Sequence, residues 1–286
     1  MPLYIVATPI GNLEDMTPRA VRILREVSMI AAEDTRHSRG LLTYFEIKTP
    51  MFSCHKFNEE KRGNFFLNAL REGKSIALIS DAGTPCISDP GHILTKMVAD
   101  AGFEVVPICG VSAVVAALSV SGFDSSRFLF IGFLPRGKAV EKCLEDTLSN
   151  EGILVFYESP KRIKTTLKMI STGFPTAQIC LCNDISKKFE RVYRGTAEEI
   201  LEQLSQNPNG EKGEYTCVIH YKAPPIDDVA EENVSSIESQ LVDIMVKEEN
   251  NLKDAAKVLH EKNSKLSKKE IYSAMLKLKN MFGEYE

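Results

Sequence analysis

Short apolar segments separated by helical patterns are the feature that most constrains how this chain can fold. Segments of this kind occupy the first 120 residues, at Leu3–Ala7, Met29–Ala32, Met51–Cys54, Ile76–Ser80 and Val105–Ile108. Segments that are apolar throughout, and not only at alternate positions, are typical of parallel strands covered by helices on both sheet faces. Between the first two, Thr17-Pro18 has the residue types of a helix N-cap and first turn. Residues 1–120 are therefore predicted to form an α/β domain with a mainly parallel sheet.

The alternation continues in a second predicted α/β domain, which covers residues 121–225 and has a mixed sheet. Gly122 and the serines before it are typical of a hinge between the two domains. An acidic linker is predicted at 226–240, and a small helical module, with Ser267 as a helix N-cap, at 241–286. The predicted strands of the second domain are Phe128–Gly132, Ile153–Tyr157, Gln178–Cys182, Phe189–Tyr193 and Tyr215–Tyr221.

The charge of the chain is unevenly distributed. The formal net charge is −4 over 286 residues, which argues against nucleic-acid binding through a bulk positive charge. Residues 226–249 contain eight acids and one lysine, whereas residues 264–280 contain five lysines and one glutamate. Any contact with RNA must therefore come from a local patch, for which the basic C-terminal segment is a candidate.

Several sequence features predict a cytoplasmic protein without a metal site. No segment approaches the roughly 20 apolar residues of a membrane helix, and the N-terminus lacks the pattern of a secretory signal. The seven cysteines are odd in number and mostly lie in apolar surroundings, which suits buried thiols in a reducing compartment. Cys180 and Cys182 lack the second cysteine pair of a zinc site, and their alternation with apolar residues favours a strand.

Polar, glycine-containing loops follow three of the predicted strands, at Thr8–Leu13, Asp81–Gly91 and Cys109–Ala113. The dinucleotide-binding, phosphate-loop and nucleophile-elbow motifs are missing from the sequence. Open α/β sheets bind ligands outside the carboxyl ends of their strands, and glycines let the backbone approach a ligand closely. For any single loop an ordinary turn explains the composition equally well. Three such loops on one sheet edge favour a ligand site.

Five motifs occur together and in order: Thr-Pro-Ile-Gly-Asn-Leu at 8–13, Ala-Glu-Asp-Thr-Arg at 32–36, Ser-Asp-Ala-Gly-Thr-Pro at 80–85, Ile-Ser-Asp-Pro-Gly at 87–91 and Phe-Tyr-Glu-Ser-Pro at 156–160. On these motifs the chain resembles the tetrapyrrole methylase superfamily, the class III methyltransferases. More narrowly, it is similar to the branch that methylates the ribose 2′-oxygen of a cytidine in 16S ribosomal RNA. The similarity spans residues 3–221, and the tail resembles the helix-turn-helix-like C-terminal module of that branch.

The resemblance implies that S-adenosylmethionine binds in the cleft between the two domains, held largely by backbone groups. It also implies a homodimer that acts on 16S rRNA within the small ribosomal subunit. The residues that it places at the cofactor are Pro9, Gly11, Asp81, Gly83, Thr84, Ser88, Gly110, Val111, Ser112, Ala113, Phe156 and Tyr157, with the end of the Gln178–Asp184 segment closing the site.

The sequence departs from the pattern of that family in three places. The third loop begins with Cys109 where a proline is typical, and Cys182-Asn183-Asp184 stands where Ala-Arg-Glu is typical. Cys86 stands in place of a glycine, which matters if this position requires a positive φ.

Methyl transfer to a hydroxyl needs a group that orients the oxygen and accepts its proton, and the candidates are Asp34, Glu158 and His55. The two acids follow predicted strands, where backbone amides alone also explain an acid, and His55 is equally explained as a structural hydrogen-bond partner. Candidate RNA-binding residues are Arg36, Arg39, Lys56, Arg62, Lys265, Lys268 and Lys269. Solvated surface charge, or an ordinary amphipathic helix in the tail, is the alternative.

Two other functions remain open from the sequence. A small-molecule methylase acting on a corrin precursor would share the fold, although it needs no basic docking module. A non-catalytic nucleic-acid-binding protein would leave the three loops unexplained.

Overall fold

The first domain has the predicted architecture, a five-stranded parallel sheet between two layers of helices. The computed structural model describes residues 1–137, 139–148, 152–222, 236–247, 251–263 and 266–282. The sheet order is β3-β2-β4-β1-β5, and every neighbouring pair is parallel. The elements are β1 (Leu3–Val6), α1 (Pro18–Glu26), β2 (Met29–Ala32), α2 (Thr35–Tyr44), β3 (Met51–Ser53), α3 (Glu59–Arg71), β4 (Ile76–Ile79), α4 (His92–Asp100), β5 (Val105–Ile108) and α5 (Ala113–Ser121), with a short 3-10 turn at Leu13–Asp15.

Strand β2 shows why this sheet is buried on both faces. Met29 and Ala31 belong to the apolar cluster on one face, while Ile30 and Ala32 belong to the cluster on the other. Successive side chains of a strand point to opposite faces, so a strand covered on both sides is apolar at every position. The start of α1 is also as predicted, since the Thr17 hydroxyl accepts a hydrogen bond from the Ala20 amide at 3.1 Å.

The second domain has a mixed sheet of order β6-β7-β10-β8-β9, in which only β6 and β7 are parallel. Helices α6, α7 and α8 cover one face, and α5 of the first domain packs on the other through Val114, Ala117 and Leu118. Helix α5 thereby fixes the second sheet against the first domain. The elements are β6 (Leu129–Phe133), α6 (Ala139–Leu148), β7 (Gly152–Glu158), α7 (Ile163–Gly173), β8 (Gln178–Asn183), β9 (Arg191–Gly195), α8 (Ala197–Ser205) and β10 (Tyr215–Tyr221).

Two strands of the second domain lie one or two residues later in the chain than the sequence predicts. Strand β6 begins at Leu129 instead of Phe128, and β9 runs over Arg191–Gly195 instead of Phe189–Tyr193. The Phe189 ring is 69% exposed and lies 5.6 Å from the Lys188 ammonium. An aromatic residue suits a strand by composition, but this ring packs on a neighbouring lysine outside the sheet.

The chain forms two compact units, Met1–Ala223 and Pro224–Glu286. The described part of the second unit consists of α9 (Ile237–Lys247), α10 (Leu252–Lys262) and α11 (Lys268–Phe282). Helix α9 begins inside the predicted linker at 226–240, and residues 226–235 of that linker lie outside the described ranges. The three helices share an apolar core of Leu241, Ala255, Leu259, Ile271, Ala274 and Leu278.

Helix α11 begins with a capping arrangement, as predicted from Ser267. The Ser267 hydroxyl accepts the Glu270 amide at 3.3 Å, and the Glu270 carboxylate accepts the Ser267 amide at 2.9 Å. Among the helices that the structure describes, none combines the length and the apolar character needed to cross a lipid bilayer.

Candidate active site

Three loops meet at the carboxyl edge of the first sheet, because the strands before them, β4, β1 and β5, are neighbours. The Thr8 amide donates to the Gly83 carbonyl at 2.9 Å, and the Gly83 amide donates to the Thr8 carbonyl at 3.0 Å. The Thr84 hydroxyl donates to the Val111 carbonyl at 3.2 Å. The three loops therefore form one hydrogen-bonded surface.

This surface faces the second domain across a cavity of about 380 Å³, which we call the first cavity. A volume of this size lies in the ~300–1,000 Å³ range of small-molecule sites. The second domain contributes the ends of β6 and β7 and the start of β10. The lining residues are Ile10, Ala82, Gly83, Thr84, Ile87, Ser88, Asp89, Ser112 and Ala113 from the first domain, and Phe133, Tyr157, Glu158, Ser159, Pro160, Glu214, Tyr215 and Thr216 from the second.

Helix α5 begins at the wall of the first cavity. Its N-cap residue, Ser112, has an extended backbone and makes no side-chain hydrogen bond to the first turn. The first amides of a helix have no intrahelical partner, and together with the helix dipole they favour an anion. This end of α5 therefore suits a ligand carboxylate.

Acidic groups lie at and behind the first cavity. Burial, together with the charge of Glu33, raises the pKa of the Asp89 carboxyl to about 6. Burial and the charge of Asp81 raise the pKa of Glu33. Burial, and the charge of Asp89 in addition, raise the pKa of the Tyr157 phenol to about 12. Clustered carboxylates of this kind are stabilised by a cation, so the site favours a ligand with positive charge.

A second cavity, of about 290 Å³, adjoins the first. The two share Ile10, Ala82 and Glu214 as lining residues. The remaining residues of the second cavity are Pro9, Gly11, Leu13, His37, Ser38, Leu41, Asp81 and Lys187. It therefore lies between the first loop, the start of α2 and the turn that carries Lys187.

Next to that turn lie Asn183 and Asp184, two of the residues that differ from the family pattern. The Asn183 amide group donates to the Lys212 and Glu214 carbonyls, both at 3.3 Å. Asp184 has a φ of 52° and accepts the Glu214 amide at 3.2 Å. The Lys187 ammonium pairs with Asp184 at 3.1 Å and with Glu214 at 2.8 Å. The two departing residues thus hold the wall that places Lys187 at the second cavity.

Cys86, which stands in place of the family's glycine, has a φ of 72°, a backbone conformation that favours glycine. A left-handed conformation costs a residue with a Cβ roughly 1–2 kcal/mol. The loop keeps this conformation, with the Cys86 thiol 3.6 Å from the Thr95 hydroxyl. The strain therefore lies in the loop that lines the first cavity.

Glu158 lines the first cavity, but its carboxylate is occupied. It is 2% exposed and accepts hydrogen bonds from the Ser159 amide at 2.7 Å, the Arg162 guanidinium at 3.0 Å and the Thr166 hydroxyl at 2.8 Å. These three donors occupy both carboxylate oxygens. This geometry favours a structural role over the predicted role as a base.

The other two candidate bases lie outside the lining of both cavities. Asp34 caps α2 through the Arg36 amide at 2.8 Å, and hydrogen bonds from Arg36 lower the pKa of the Asp34 carboxyl to about 2. The Nδ1 atom of His55 accepts the Phe57 amide at 3.2 Å, and the His55 amide donates to Asn58 at 2.8 Å. Both local arrangements match the structural alternatives that the sequence left open.

The predicted cofactor residues divide into three groups. Gly83, Thr84, Ser88, Ser112, Ala113 and Tyr157 line the first cavity, whereas Pro9, Gly11 and Asp81 line the second. Gly110 packs on Ala7, where an added Cβ would come within 2.8 Å of the Ala7 Cβ. Val111 accepts the hydrogen bond from Thr84. The Phe156 side chain lies in the core on the far face of the second sheet, because it alternates with Tyr157 along β7.

The predicted RNA-binding residues are exposed wherever the structure describes them. Arg36 pairs with Asp34 at 2.9 Å, and the Arg62 guanidinium lies 5.8 Å from the centre of the Phe65 ring. Lys265 lies outside the described residues. Arg39 and Lys56 are exposed on the first domain, and Lys268 and Lys269 are exposed at the start of α11.

Asp89 and Glu214 of the first cavity and Ser38 of the second were not among the predicted site residues. Asp89 stands in the quoted Ile-Ser-Asp-Pro-Gly motif, so the signal was present, but its neighbour Ser88 was chosen instead. Ser38 had no signal in the sequence, because a serine inside a helical pattern is ordinary.

The sequence is similar to that of known methyltransferases. The family model described as Tetrapyrrole (Corrin/Porphyrin) Methylases matches residues 2–201. A protein of Haemophilus influenzae named ribosomal RNA small subunit methyltransferase I is 41% identical over 263 residues, 91% of each chain. Its namesake in Synechocystis sp. is 38% identical over 280 residues, which cover 96% of this chain and 98% of that protein.

Two solved structures show the same fold at low sequence identity. Diphthine synthase superposes with a TM-score of 0.62 at 12% identity, covering 78% of this chain and 90% of that one. Uroporphyrin-III C-methyltransferase from Thermus thermophilus, complexed with S-adenyl homocysteine, superposes with a TM-score of 0.54 at 16% identity, covering 77% and 97%.

Proposed function

Because the chain belongs to the tetrapyrrole (corrin/porphyrin) methylase family, we propose that it transfers a methyl group from S-adenosylmethionine to ribosomal RNA of the small subunit. The acceptor in this proposal is the ribose 2′-oxygen of a cytidine in 16S rRNA. Relatives named as small-subunit rRNA methyltransferases match at 38–45% identity over most of the chain, which favours RNA over a corrin precursor. A cytoplasmic location follows from that substrate.

The observation that carries the proposal is the first cavity, in which three hydrogen-bonded loops face the second domain. Its donor and acceptor groups fit S-adenosylmethionine. The free amides at the start of α5 suit the carboxylate of the methionine part, and the acidic groups at and behind the cavity suit its positive charges. A non-catalytic scaffold would have no use for this combination.

S-adenosylmethionine, when bound, supplies a methyl group that is already activated by its sulfonium centre. The protein must then orient the acceptor hydroxyl and remove its proton. Orientation can supply roughly 7–11 kcal/mol of the barrier, whereas a general base typically adds about 10²–10⁴-fold. The rigid loop surface is therefore the main catalytic device.

Asp89 is the group that we assign as proton acceptor. Asp89 lines the first cavity, and the raised pKa of its carboxyl, about 6, leaves it ionised, yet basic, near neutral pH. Hydrogen bonds from Arg36 lower the pKa of the Asp34 carboxyl, and three donors occupy the Glu158 carboxylate, so neither acid fits this role as well.

We assign RNA docking to basic residues away from the cavity. Lys268 and Lys269 are exposed on the first turn of α11, and Arg36 and Arg39 are exposed on α2. Lysine and arginine side chains of this kind hold phosphates and position the RNA without reading its sequence.

A homodimer is also part of the proposal. Large apolar side chains are exposed on α5, at Val115 (61%) and Val120, and at or just before β6, at Phe128, Leu129 and Phe133 (62%). Exposed apolar side chains of this size are found at interaction surfaces.

The proposal is tested with small ribosomal subunits that lack the modification, purified protein and labelled S-adenosylmethionine. Mass spectrometry is expected to locate the label on the 2′-oxygen of one cytidine. Label on a base, or no label although calorimetry detects cofactor binding, would overturn the assignment.

A matched pair of variants ties the activity to the first cavity. Ala113→Leu places a larger side chain in the cavity wall and is expected to abolish cofactor binding. Ala99→Leu makes the same change at an exposed position of α4 and is expected to leave binding intact. Equal binding by both variants would remove the first cavity from the proposal.

A further inference from the structure

The second cavity is lined by Pro9, Gly11 and Asp81, which the family resemblance placed at the cofactor, but the groups that fit S-adenosylmethionine lie in the first cavity. It is separated from the first cavity only by Ile10, Ala82 and Glu214, which line both. A ligand that fills it lies next to whatever occupies the first cavity. In a methyltransferase, this is the place of the methyl acceptor.

Ser38 shows that a polar partner is missing from the second cavity. This residue is 2% exposed and lines the cavity from α2. Its hydroxyl oxygen is buried and has no hydrogen-bond partner among the described residues. A buried hydroxyl without a partner is unfavourable, so such groups are normally satisfied by protein, water or ligand.

The other walls define the chemistry of the ligand. Pro9, Leu13 and Leu41 give the cavity apolar surfaces. Asp81 adds a carboxylate that is oriented by the Asp34 amide at 3.1 Å. Apolar walls with a hydroxyl and a carboxylate suit a planar ring whose edge carries an amino group. In nucleic-acid recognition, Asp and Glu accept hydrogen bonds from the N4 amino group of cytosine.

We propose that the second cavity binds the base of the nucleotide whose ribose is methylated, with Ser38 and Asp81 on the polar edge of that base. This proposal rests on the proposed rRNA methyltransferase activity. It assigns selection of cytidine over uridine to Asp81, since uracil presents an acceptor where cytosine presents an amino group.

The first test is Ser38→Ala, compared with Ser171→Ala as a matched control. Ser171 also lies in a helix, α7, but its hydroxyl donates to the Lys168 carbonyl at 2.9 Å and it lines neither cavity. Ser38→Ala is expected to lower kcat/KM for small subunits by about three- to tenfold, the effect of one neutral hydrogen bond. Its affinity for S-adenosylmethionine and its Tm are expected to match those of the control.

The second test is base discrimination. Small subunits reconstituted with uridine at the modified position are compared with those that carry cytidine. Asp81→Asn retains an oxygen for the Asp34 amide but adds a donor, so it is expected to reduce the preference for cytidine by about tenfold.

The outcomes separate this inference from the proposed function. If the unaltered protein methylates subunits while Ser38→Ala equals its control, the second cavity is not the acceptor site, although the activity stands. If Asp81→Asn prefers cytidine as strongly as the unaltered protein, Asp81 does not select the base. If the unaltered protein binds cofactor but methylates nothing, the proposed function itself is wrong.

Discussion

Replacing Glu158 by glutamine distinguishes a structural acid from a catalytic one. The Oε2 atom of Glu158 accepts hydrogen bonds from both Arg162 and Thr166, and Oε1 accepts the Ser159 amide. Glutamine has one oxygen, so its amino group must face at least one of these donors. The change also removes the ion pair to Arg162. The remaining partners of the Arg162 guanidinium are the Leu134 and Pro135 carbonyls, to which it donates hydrogen bonds.

The cost follows from the burial of the two partners. Breaking a fully buried pair from one side costs about 3–5 kcal/mol, because a buried charge is left without its partner. Here the Glu158 side chain is 1% exposed, but that of Arg162 is 30% exposed and reaches water. We therefore expect Glu158→Gln to lower the free energy of unfolding by about 2–3 kcal/mol, below that range. At about 2–4 °C per kcal/mol, Tm falls by about 4–12 °C.

Thermal unfolding followed by circular dichroism measures this change, with Glu199→Gln as the matched control. Glu199 caps the Thr196 amide at 2.7 Å on an exposed helix start, so its replacement is expected to shift Tm by less than about 2 °C. Methylation assayed well below both transitions should persist in Glu158→Gln. A variant with unchanged Tm and a loss of activity of 100-fold or more would show that Glu158 is the base and that our reasoning is wrong.

Three further predictions concern the proton acceptor, the backbone and the docking residues. If Asp89 accepts the proton, kcat/KM should rise with pH through about 6, where the carboxyl becomes ionised. Asp89→Asn should abolish this rise and lower the rate by about 10²–10⁴-fold. If kcat/KM of the variant still rises with pH through about 6, Asp89 is not the proton acceptor. An added Cβ has open space at both Gly40 and Gly122. In urea unfolding, Gly40→Ala, inside helix α2, should stabilise the protein by about 0.5–1 kcal/mol. Gly122→Ala should destabilise it by about 1–2 kcal/mol, because the backbone there has a φ of 78°. Replacing Lys268 and Lys269 by glutamine should weaken RNA binding. The slope of the logarithm of the binding constant against the logarithm of the salt concentration should fall in magnitude by about 0.7–0.9 per lost phosphate contact. An unchanged slope would show that these lysines do not contact phosphates.

The strands and the three loops could be predicted because local sequence determines them. Strand β2 is apolar at all four positions, and this pattern has few explanations other than burial on both faces. The loops carry glycine, proline and aspartate directly after such strands. Since the carboxyl ends of neighbouring parallel strands lie together, their meeting at one edge follows from the fold class alone.

The roles of individual acids could not be predicted, because they depend on what each side chain meets in three dimensions. Glu158 follows a strand as expected of a catalytic acid, yet Thr166 and Arg162 reach it from α7 and the turn before that helix. Asp34 is a different case. It stands directly before a helix and two residues before Arg36, so the sequence itself offers capping as the alternative to a catalytic role.

The charges of the cleft explain how a protein of negative net charge can act on RNA. Glu33, Asp81 and Asp89 lie at and behind the two cavities, where they repel phosphate and favour a cationic cofactor. A base and its ribose are uncharged, so they can enter such a site, whereas the phosphates must remain outside. Arg36, the first exposed arginine of α2, follows Glu33 by only one helical turn along the chain. In the proposed function, the same arrangement separates two tasks: carboxylates select a cationic methyl donor and a neutral acceptor, and surface cations hold the backbone of the RNA.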